Sequence, residues 1–197
     1  MTAMNFDRLR YTLRGAFFVW INRPKQAIEA YGAAFRADPG NAETARTLAW
    51  LHARDKHWNA AQQWFGRSLE LEPEHADTWF NQGYAQEQGG QLDTAIDSFR
   101  KAVELKPSQD RAWYGLGMAL AHQGKHREAA EALEKAAELQ PMNPHALYAL
   151  GMAWHHSNEP DKVKTVIERC LTHEPGTAKR LVQDAQRADL AHLVAHL

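Results

Sequence analysis

Apolar residues between Asp110 and Pro141 recur with the spacing of two short amphipathic helices. In the first half of this stretch, four residues fall at i, i+3, i+4 and i+7, one face of a helix: Trp113, Leu116, Gly117 and Leu120. Gly124 follows, and glycine readily takes the left-handed conformation that ends a helix. In the second half, one face is formed by Ala129, Leu133, Ala136 and Leu139, and Pro141 ends the pattern. Neither face can be buried within so short a hairpin, so the pattern predicts a unit that packs against neighbours on both sides.

The same pattern recurs along the chain at a constant interval, equal to the separation of Pro39 from Pro73. The closing prolines are Pro39, Pro73, Pro107, Pro141 and Pro175. One column of small residues contains Gly15, Ala49, Gly83, Gly117 and Gly151, a second contains Ala27, Ala61, Ala95 and Ala129 with Val163, and a third contains Ala34, Ser68, Ala102, Ala136 and Cys170. A column of large apolar residues contains Tyr31, Phe65, Phe99, Leu133 and Ile167. We expect the large residues to pack between helices that the small residues allow to approach closely.

These columns resemble the tetratricopeptide repeat, whose pattern is Trp or Leu, then Leu-Gly or Leu-Ala, then Ala, an aromatic residue, Ala and a closing Pro. The resemblance covers residues 8–177, with repeats at 8–41, 42–75, 76–109, 110–143 and 144–177. It implies an all-α fold, a right-handed superhelical solenoid of five helix pairs, and a protein that binds other proteins.

The remaining C-terminal residues have the pattern of a capping helix. Residues 178–197 are predicted to form one amphipathic helix that covers the last repeat. Its buried face is predicted to contain Leu181, Val182, Ala185, Leu193 and Val194. No Gly/Ser-rich or low-complexity linker interrupts the chain, so we predict a single domain over residues 1–197.

Composition narrows the function classes. A formal net charge of −1 over 197 residues gives no signature of polyanion binding, so we expect no nucleic-acid partner. Cys170 is the only cysteine, which excludes an internal disulfide and is compatible with a reducing compartment. Its place in a column of small residues predicts a buried, inert thiol.

The apolar run from Ala16 to Ile21 has two interpretations. Basic residues precede it, as in a secretory signal, but it is too short to span a membrane, lacks an Ala-x-Ala cleavage site and continues directly into the first repeat. We therefore predict a repeat helix and a cytoplasmic protein. Phe17, Phe18 and Trp20 make this helix apolar on nearly all sides. They either pack under residues 1–7 or form a self-association surface; a membrane contact is the alternative that we do not expect.

The resemblance implies a concave groove formed by the first helix of each repeat. The predicted groove residues are Arg46, Trp50, Phe80, Asn81, Tyr84, Arg111, Tyr114, Met118, His122, Tyr148, Met152 and His156. Aromatic and methionine side chains anchor peptides and helices well. We therefore predict that the groove holds a peptide or a helical segment of a partner protein.

Chaperone-binding members of the family grip a terminal carboxylate with Lys, Asn, Asn, Lys and Arg. The corresponding positions here hold Arg46, Trp50, Asn81, Arg111 and Gly115. Because Trp50 and Gly115 depart from the pattern, we do not expect a full clamp. Arg46, Asn81 and Arg111 retain the chemistry to hold an acidic side chain or a carboxylate.

Eleven histidines raise the question of a metal site. His192 and His196 have the i, i+4 spacing of a ligand pair, but no third ligand is evident, so surface histidines are the favoured interpretation. His122 and His156 occupy equivalent positions in adjacent repeats, with His155 beside the second, and a pH-sensitive contact is favoured there over a metal. Nucleotide-binding, zinc-protease and nucleophile-elbow motifs are missing.

We therefore predict a non-enzymatic interaction scaffold with no cofactor. Two alternatives stay open. The protein could assemble with itself through the apolar first repeat, or it could be a metal-handling or catalytic accessory subunit that uses the region of His155 and His156.

Overall fold

A computed structural model describes residues 6–195, and every regular element in that range is helical. The first six α-helices are α1 (Phe6–Trp20), α2 (Pro24–Ala37), α3 (Ala42–Arg54), α4 (Trp58–Leu71), α5 (Ala76–Gln88) and α6 (Leu92–Leu105). They are followed by α7 (Asp110–His122), α8 (His126–Leu139), α9 (Pro144–His156), α10 (Pro160–His173), α11 (Pro175–Asp184) and a short 3-10 helix (Ala188–Leu193).

The helices form two compact units, and the boundary lies within α6, between Ser98 and Phe99. In the first unit α1 packs on α2, α2 on α3, α3 on α4 and α4 on α5. In the second unit α7 packs on α8, α8 on α9, α9 on α10 and α10 on α11. Within each unit these helices contact their neighbours in sequence, as expected of stacked helix pairs. The single domain over residues 1–197 stays a prediction.

The columns read from the sequence form the cores of the two units. The large column is buried throughout: Tyr31 is 8% exposed, Phe65 3%, Phe99 1%, and Leu133 and Ile167 0%. Ala27, Ala61, Ala95 and Ala129 are fully buried. A Cβ atom at Gly117 would lie 2.5 Å from Leu133 Cγ, and one at Gly15 would lie 2.7 Å from the Tyr31 ring, so a larger residue would force the paired helices apart. The prediction of an all-α fold of tetratricopeptide-type helix pairs is confirmed.

The turn within each helix pair has one geometry. A residue with positive φ follows every first helix, at the equivalent position of each repeat: Asn22, Lys56, Gly90, Gly124 and Asn158. The amide of the next residue donates back to the carbonyl five residues earlier, as from Lys125 to Leu120 at 3.0 Å and from His57 to His52 at 2.9 Å. This is the hydrogen bond of a Schellman motif. Glycine was expected at Gly124, and asparagine or lysine takes the same conformation in three other repeats.

Side chains fix the start of several first helices. The carboxamide oxygen of Asn41 accepts from the Thr44 amide at 2.8 Å, and that of Asn143 accepts from the His145 amide at 3.0 Å. These are N-caps, and the one at Asn143 was expected. The Trp79 and Trp113 indoles donate to the carbonyls of the prolines six residues earlier, Pro73 and Pro107, at 2.7 and 2.8 Å.

The C-terminal segment differs from its prediction. The single helix expected over residues 178–197 is wrong in extent, because α11 begins at Pro175 and ends at Asp184. Gln186 then takes a φ of +54°, and the Arg187 amide donates to the Val182 carbonyl at 2.9 Å. The chain turns back as a 3-10 helix, which buries Leu190 to 4% exposure. Leu181, Val182, Ala185 and Val194 are buried as expected, whereas Leu193 is only half-buried.

Candidate functional site

A cavity of about 420 Å³ lies in the second unit between α7, α8, α9 and α11. Half of the predicted groove residues line it: Tyr114, Met118, His122, Tyr148, Met152 and His156. His126, His145, Thr177 and Arg180 also line it and are not among the groove residues named above.

Helix periodicity explains why these side chains meet. Tyr114, Met118 and His122 follow one another at intervals of four residues on α7, and Tyr148, Met152 and His156 do the same on α9. Residues four apart lie above one another on one helix face. The core face of α7 is formed by other residues, such as Leu116 and Leu120, which are 5% and 2% exposed. The tyrosines and methionines are half-buried, so they form an apolar wall outside the core.

One side of the cavity is held by a hydrogen-bonded group of three residues. The Tyr148 hydroxyl donates to Asp184 Oδ2 at 2.7 Å, and Arg180 Nε lies 3.4 Å from the same oxygen. The Arg180 guanidinium lies over the Tyr148 ring, 3.8 Å from its centroid. The pKa of Tyr148 is raised, chiefly because its hydroxyl donates to the Asp184 carboxylate and also because of burial. The Arg180 charge is therefore compensated within the chain by Asp184.

Histidine rings cluster at one edge of the same cavity. The His156 ring centroid is 4.9 Å from that of His126 and 5.1 Å from that of His155. The Nδ1 atom of His126 is buried without a hydrogen-bond partner. The pH-sensitive contact favoured over a metal for His122 and His156 stays a prediction. Both residues line the cavity, and the ring contact described for His156 on a neighbouring helix is with His126 of α8.

The described residues do not form a metal-binding site of three or more ligands. No group of three or more His, Cys, Asp or Glu side chains is arranged to hold an ion within residues 6–195. His196 lies outside the described residues, so its pairing with His192 is not tested. Burial raises the pKa of the Cys170 thiol to about 11, so this sulfur is a neutral, inert thiol near pH 7.

The first unit carries the other predicted groove residues except Arg111. Arg46 Nη1 lies 2.6 Å from Glu72 Oε2 and 3.4 Å from the Ser68 hydroxyl, so its carboxylate partner is within the chain. Trp50 is 48% exposed, with the Arg54 guanidinium 5.3 Å from its ring centroid.

Tyr84 is 45% exposed and meets Trp58 edge to face, with 6.0 Å between ring centroids. Phe80 and Asn81 are half-buried. Arg111, in the second unit, is exposed and does not line the cavity described above.

The first helix exposes a row of large apolar side chains. Phe17 is 52% exposed and Trp20 is 81% exposed, as a self-association surface requires. Phe18 does not belong to this surface, because it packs against the core formed by Ala27, Tyr31, Leu48 and Leu51. Phe6, Leu9 and Leu13 complete the exposed row at 73%, 38% and 62%, and they were not among the residues predicted for self-association. Their spacing of three and four residues from one another and from Phe17 was the signal available.

Residues 1–5 lie outside the described range, so packing of the N-terminal residues over this row stays a prediction. No helix between Phe6 and Leu193 combines the length and the apolar character needed to cross a membrane.

Sequence models of the tetratricopeptide repeat match much of the chain. Models described as tetratricopeptide repeat match residues 22–80, 64–97 and 110–143, and a model described as TPR repeat matches residues 88–124. This chain is a tetratricopeptide repeat protein. The search of curated protein sequences found no significant match.

Several solved structures share the fold of this tetratricopeptide repeat protein. A crystal structure of MamA has a TM-score of 0.80 at 23% identity, covering 95% of this chain and 98% of that one. MamA from Desulfovibrio magneticus RS-1 has a TM-score of 0.78 at 20% identity, covering 92% and 98%. YrrB, described as a TPR protein with an unusual peptide-binding site, has a TM-score of 0.78 at 20% identity, covering 92% of both chains. At these identities the likeness establishes the fold alone.

Proposed function

We propose that this protein is a non-enzymatic interaction scaffold that holds a peptide or a helical segment of another protein in the cavity of its second unit. The observation that carries the proposal is the wall formed by Tyr114, Met118, Tyr148 and Met152 around about 420 Å³ of open space. These large side chains are half-buried, whereas other residues of the same helices, such as Leu116 and Leu150, are buried in the core of the unit.

The residue types of this wall suit a protein partner. Tyrosine offers a large rigid surface with one polar end, and methionine adapts its shape to irregular apolar groups. A cavity of this volume lies within the usual range for ligand sites of roughly 300–1,000 Å³. It accommodates a few side chains of a bound segment, while the rest of that segment lies on the surrounding surface.

Apolar contacts, rather than recognition of a carboxylate, supply the main binding energy in this proposal. Arg180 at the cavity is paired with Asp184, and Arg46 in the first unit is paired with Glu72. A partner carboxylate would compete with a carboxylate of the chain at either site. The partner segment is therefore expected to present large apolar side chains.

A further point supports the proposal. YrrB has a similar fold and a described peptide-binding site, so such repeats are compatible with peptide binding.

The test is selection of 12-residue peptides from a random library, followed by affinity measurement. Tyr114→Ala combined with Met152→Ala is expected to weaken the selected peptides by roughly 10- to 100-fold, because each truncation removes an anchor worth about 1 kcal/mol or more. The matched control is Leu139→Ala combined with Met142→Ala, two exposed apolar residues of the same unit that do not line the cavity. Equal binding by wild type and the cavity variant, with unchanged helicity, would move the site away from the cavity.

A second candidate function is self-assembly through the first repeat. It is favoured by the exposed aromatic residues of α1, of which Phe6 and Trp20 are 73% and 81% exposed. Contiguous apolar surface of this kind marks interaction sites in soluble proteins.

A further inference from the structure

Three histidines of α8 and α9 lie in contact at one edge of the cavity in the second unit, here called the histidine edge. The histidine edge consists of His126, His155 and His156, with the His156 ring centroid 4.9 Å from that of His126 and 5.1 Å from that of His155. His126 and His156 line the cavity that the proposed function assigns to a bound segment. The histidine edge therefore lies next to any segment that the apolar wall holds.

The described residues that line the cavity include basic side chains but neither aspartate nor glutamate. The basic residues are His122, His126, His145, His156 and Arg180. Arg180 is paired with Asp184 of the chain. Between residues 6 and 195, by contrast, no ion pair joins the histidine edge to a carboxylate. A positive charge on the histidine edge is therefore available to a bound group of opposite charge.

Carboxylates of α8 lie near the histidine edge but are paired with arginines. Glu128 Oε2 lies 3.3 Å from Arg100 Nη2, and Glu131 Oε1 lies 3.8 Å from Arg127 Nε. Lys125 adds a further positive charge to the recess that adjoins the histidine edge. The charges around the histidine edge thus favour an anion over a cation as the bound group.

Burial gives His126 and His156 different roles. Nδ1 of His126 is buried without a hydrogen-bond partner, so a hydrogen bond from this ring to a bound group is made through Nε2. Charging His126 would leave a buried N–H without an acceptor, which is costly. His156 is exposed, so its charged form is hydrated. His156 is therefore the ring that takes up a proton, while His126 donates from Nε2 as a neutral group.

Helix geometry sets the distance between the apolar wall and the histidine edge. Met152 and Tyr148 precede His156 on one face of α9, at roughly 6 and 12 Å for a rise of about 1.5 Å per residue. An extended chain advances roughly 3.3 Å per residue, so these distances correspond to about two to four residues. A segment with its apolar side chain on this wall would thus bring a nearby residue to the histidine edge.

We propose that the partner segment carries a carboxylate about two to four residues from its apolar anchor, and that His126 and His156 hold this carboxylate. The inference rests on the proposed function and adds the chemistry of the partner to it. The apolar wall supplies most of the affinity, and the carboxylate supplies selectivity among apolar segments.

Binding of such a segment strengthens as the pH falls. Imidazole gains its positive charge between about pH 8 and pH 5, whereas a peptide carboxylate stays ionised above about pH 5. A bound carboxylate stabilises the charged form of His156, so the complex binds more protons than the free protein in this range. Linkage then requires tighter binding at about pH 5.5 than at about pH 7.5, by roughly tenfold.

The test selects peptides of roughly 12 residues from a random library and measures the affinity of a selected, histidine-free peptide at the two pH values. The peptide is also synthesised with each acidic residue replaced by its amide and, separately, with an amidated C-terminus. The two forms distinguish a side-chain carboxylate from a terminal one. At about pH 5.5 the acidic form is expected to bind roughly tenfold tighter than the form that lacks the recognised carboxylate, with a smaller difference at about pH 7.5.

Two variants assign the pH dependence to the histidine edge. His156→Gln keeps a polar side chain but does not titrate in this range, so it is expected to remove most of the pH dependence. The matched control is His173→Gln, because His173 is an exposed histidine of the same unit that does not line the cavity. This control is expected to keep the pH dependence of wild type. Circular dichroism checks that both variants keep the helicity of wild type.

The outcomes separate this inference from the proposed function. Equal binding of the acidic and amide forms, or a pH dependence that survives in His156→Gln, overturns the inference. The proposed function stands in that case if Tyr114→Ala combined with Met152→Ala still weakens the peptide. Peptides that this double variant does not weaken at either pH overturn the proposed function, and the inference with it.

Discussion

At the C-terminal end of the described chain Leu181 is fully buried, whereas at the N-terminal end Trp20 is 81% exposed. The two ends are comparable because each terminal helix pair has one face with no neighbouring repeat to bury it. At the C-terminal end, α11 and the 3-10 helix cover that face: a Cβ atom at Gly151 would lie 2.6 Å from Leu181 Cδ2, and Leu190 is 4% exposed. At the N-terminal end α1 is the outermost described helix, and its outer face is apolar.

The comparison shows that the chain covers the apolar end face at its C-terminal end and, within the described residues, leaves the one at its N-terminal end exposed. Terminal repeats usually become polar on their outer face, which keeps an array soluble. The exposed apolar row of α1 departs from this rule, while the C-terminal end follows it through a cap that exposes Lys179 and Arg180. This departure is the observation behind self-assembly as the second candidate function.

The largest expected difference between the ends is in packing energy. Leu181→Ala is expected to lower the free energy of unfolding by about 3 kcal/mol, since it leaves a cavity in a closely packed site. Leu13→Ala should change it by less than about 1 kcal/mol, because Leu13 is exposed in the single chain. Urea denaturation at low protein concentration measures both, and similar losses for the two variants would contradict the described difference between the ends.

A smaller difference is expected from the arginines of the two ends. Arg187 holds Asp189 through two contacts of 2.8 and 2.7 Å and also donates to the Pro160 carbonyl. Arg8 Nε approaches Asp38 Oδ2 at 3.3 Å, with both side chains about one-third exposed.

We expect Arg187→Ala to cost about 1–2 kcal/mol and Arg8→Ala less than about 1 kcal/mol. Thermal unfolding of the two variants beside wild type gives the comparison. A greater loss in Arg8→Ala would show that the N-terminal end depends on its ion pair more than the C-terminal end does.

The smallest expected effect is the response of the C-terminal cap to acid. The guanidinium of Arg187 lowers the pKa of Asp189 from its usual value of 3.8. Because the folded-state pKa is the lower one, the pair stabilises the cap above pH 3.8, and this contribution is lost as the pH falls through the folded-state value.

Hydrogen exchange of the Ala188–Leu193 amides, corrected for intrinsic rates, should therefore show weaker protection near pH 3 than near pH 5. Arg187→Ala should remove most of that difference. Equal pH dependence in wild type and variant would exclude the pair as its cause.

Most of the fold could be predicted from the sequence because burial in a repeat is periodic. Tyr31, Phe65, Phe99, Leu133 and Ile167 recur once in every repeat, and all of them are buried. The end of the helix at Asp184 could not be predicted in the same way. Neither glycine nor proline marks the break, and Gln186 takes the left-handed conformation instead. Burial of Leu190 and the contacts of Arg187 favour the turn, and these interactions are made only in the folded chain.

The candidate sites were predicted only in part, because a family position shows where a side chain points but not what it meets. Tyr114, Met118, Tyr148 and Met152 line one cavity as the repeat positions suggested. Arg46 also lies at such a position, yet its guanidinium is paired with the carboxylate of Glu72, 26 residues later. The contact of His126 with His156 joins two helices whose relation no single repeat reveals.

The left-handed turns at Asn22, Lys56, Gly90, Gly124 and Asn158 bear on how such a chain can change its length. Each turn is closed by a hydrogen bond between residues five apart, so the turn is contained within one helix pair. Duplication or deletion of one whole repeat in the gene would therefore leave every remaining turn with its own donor and acceptor. Growth and shortening by whole repeats is the mode of change that this backbone accommodates at the lowest cost.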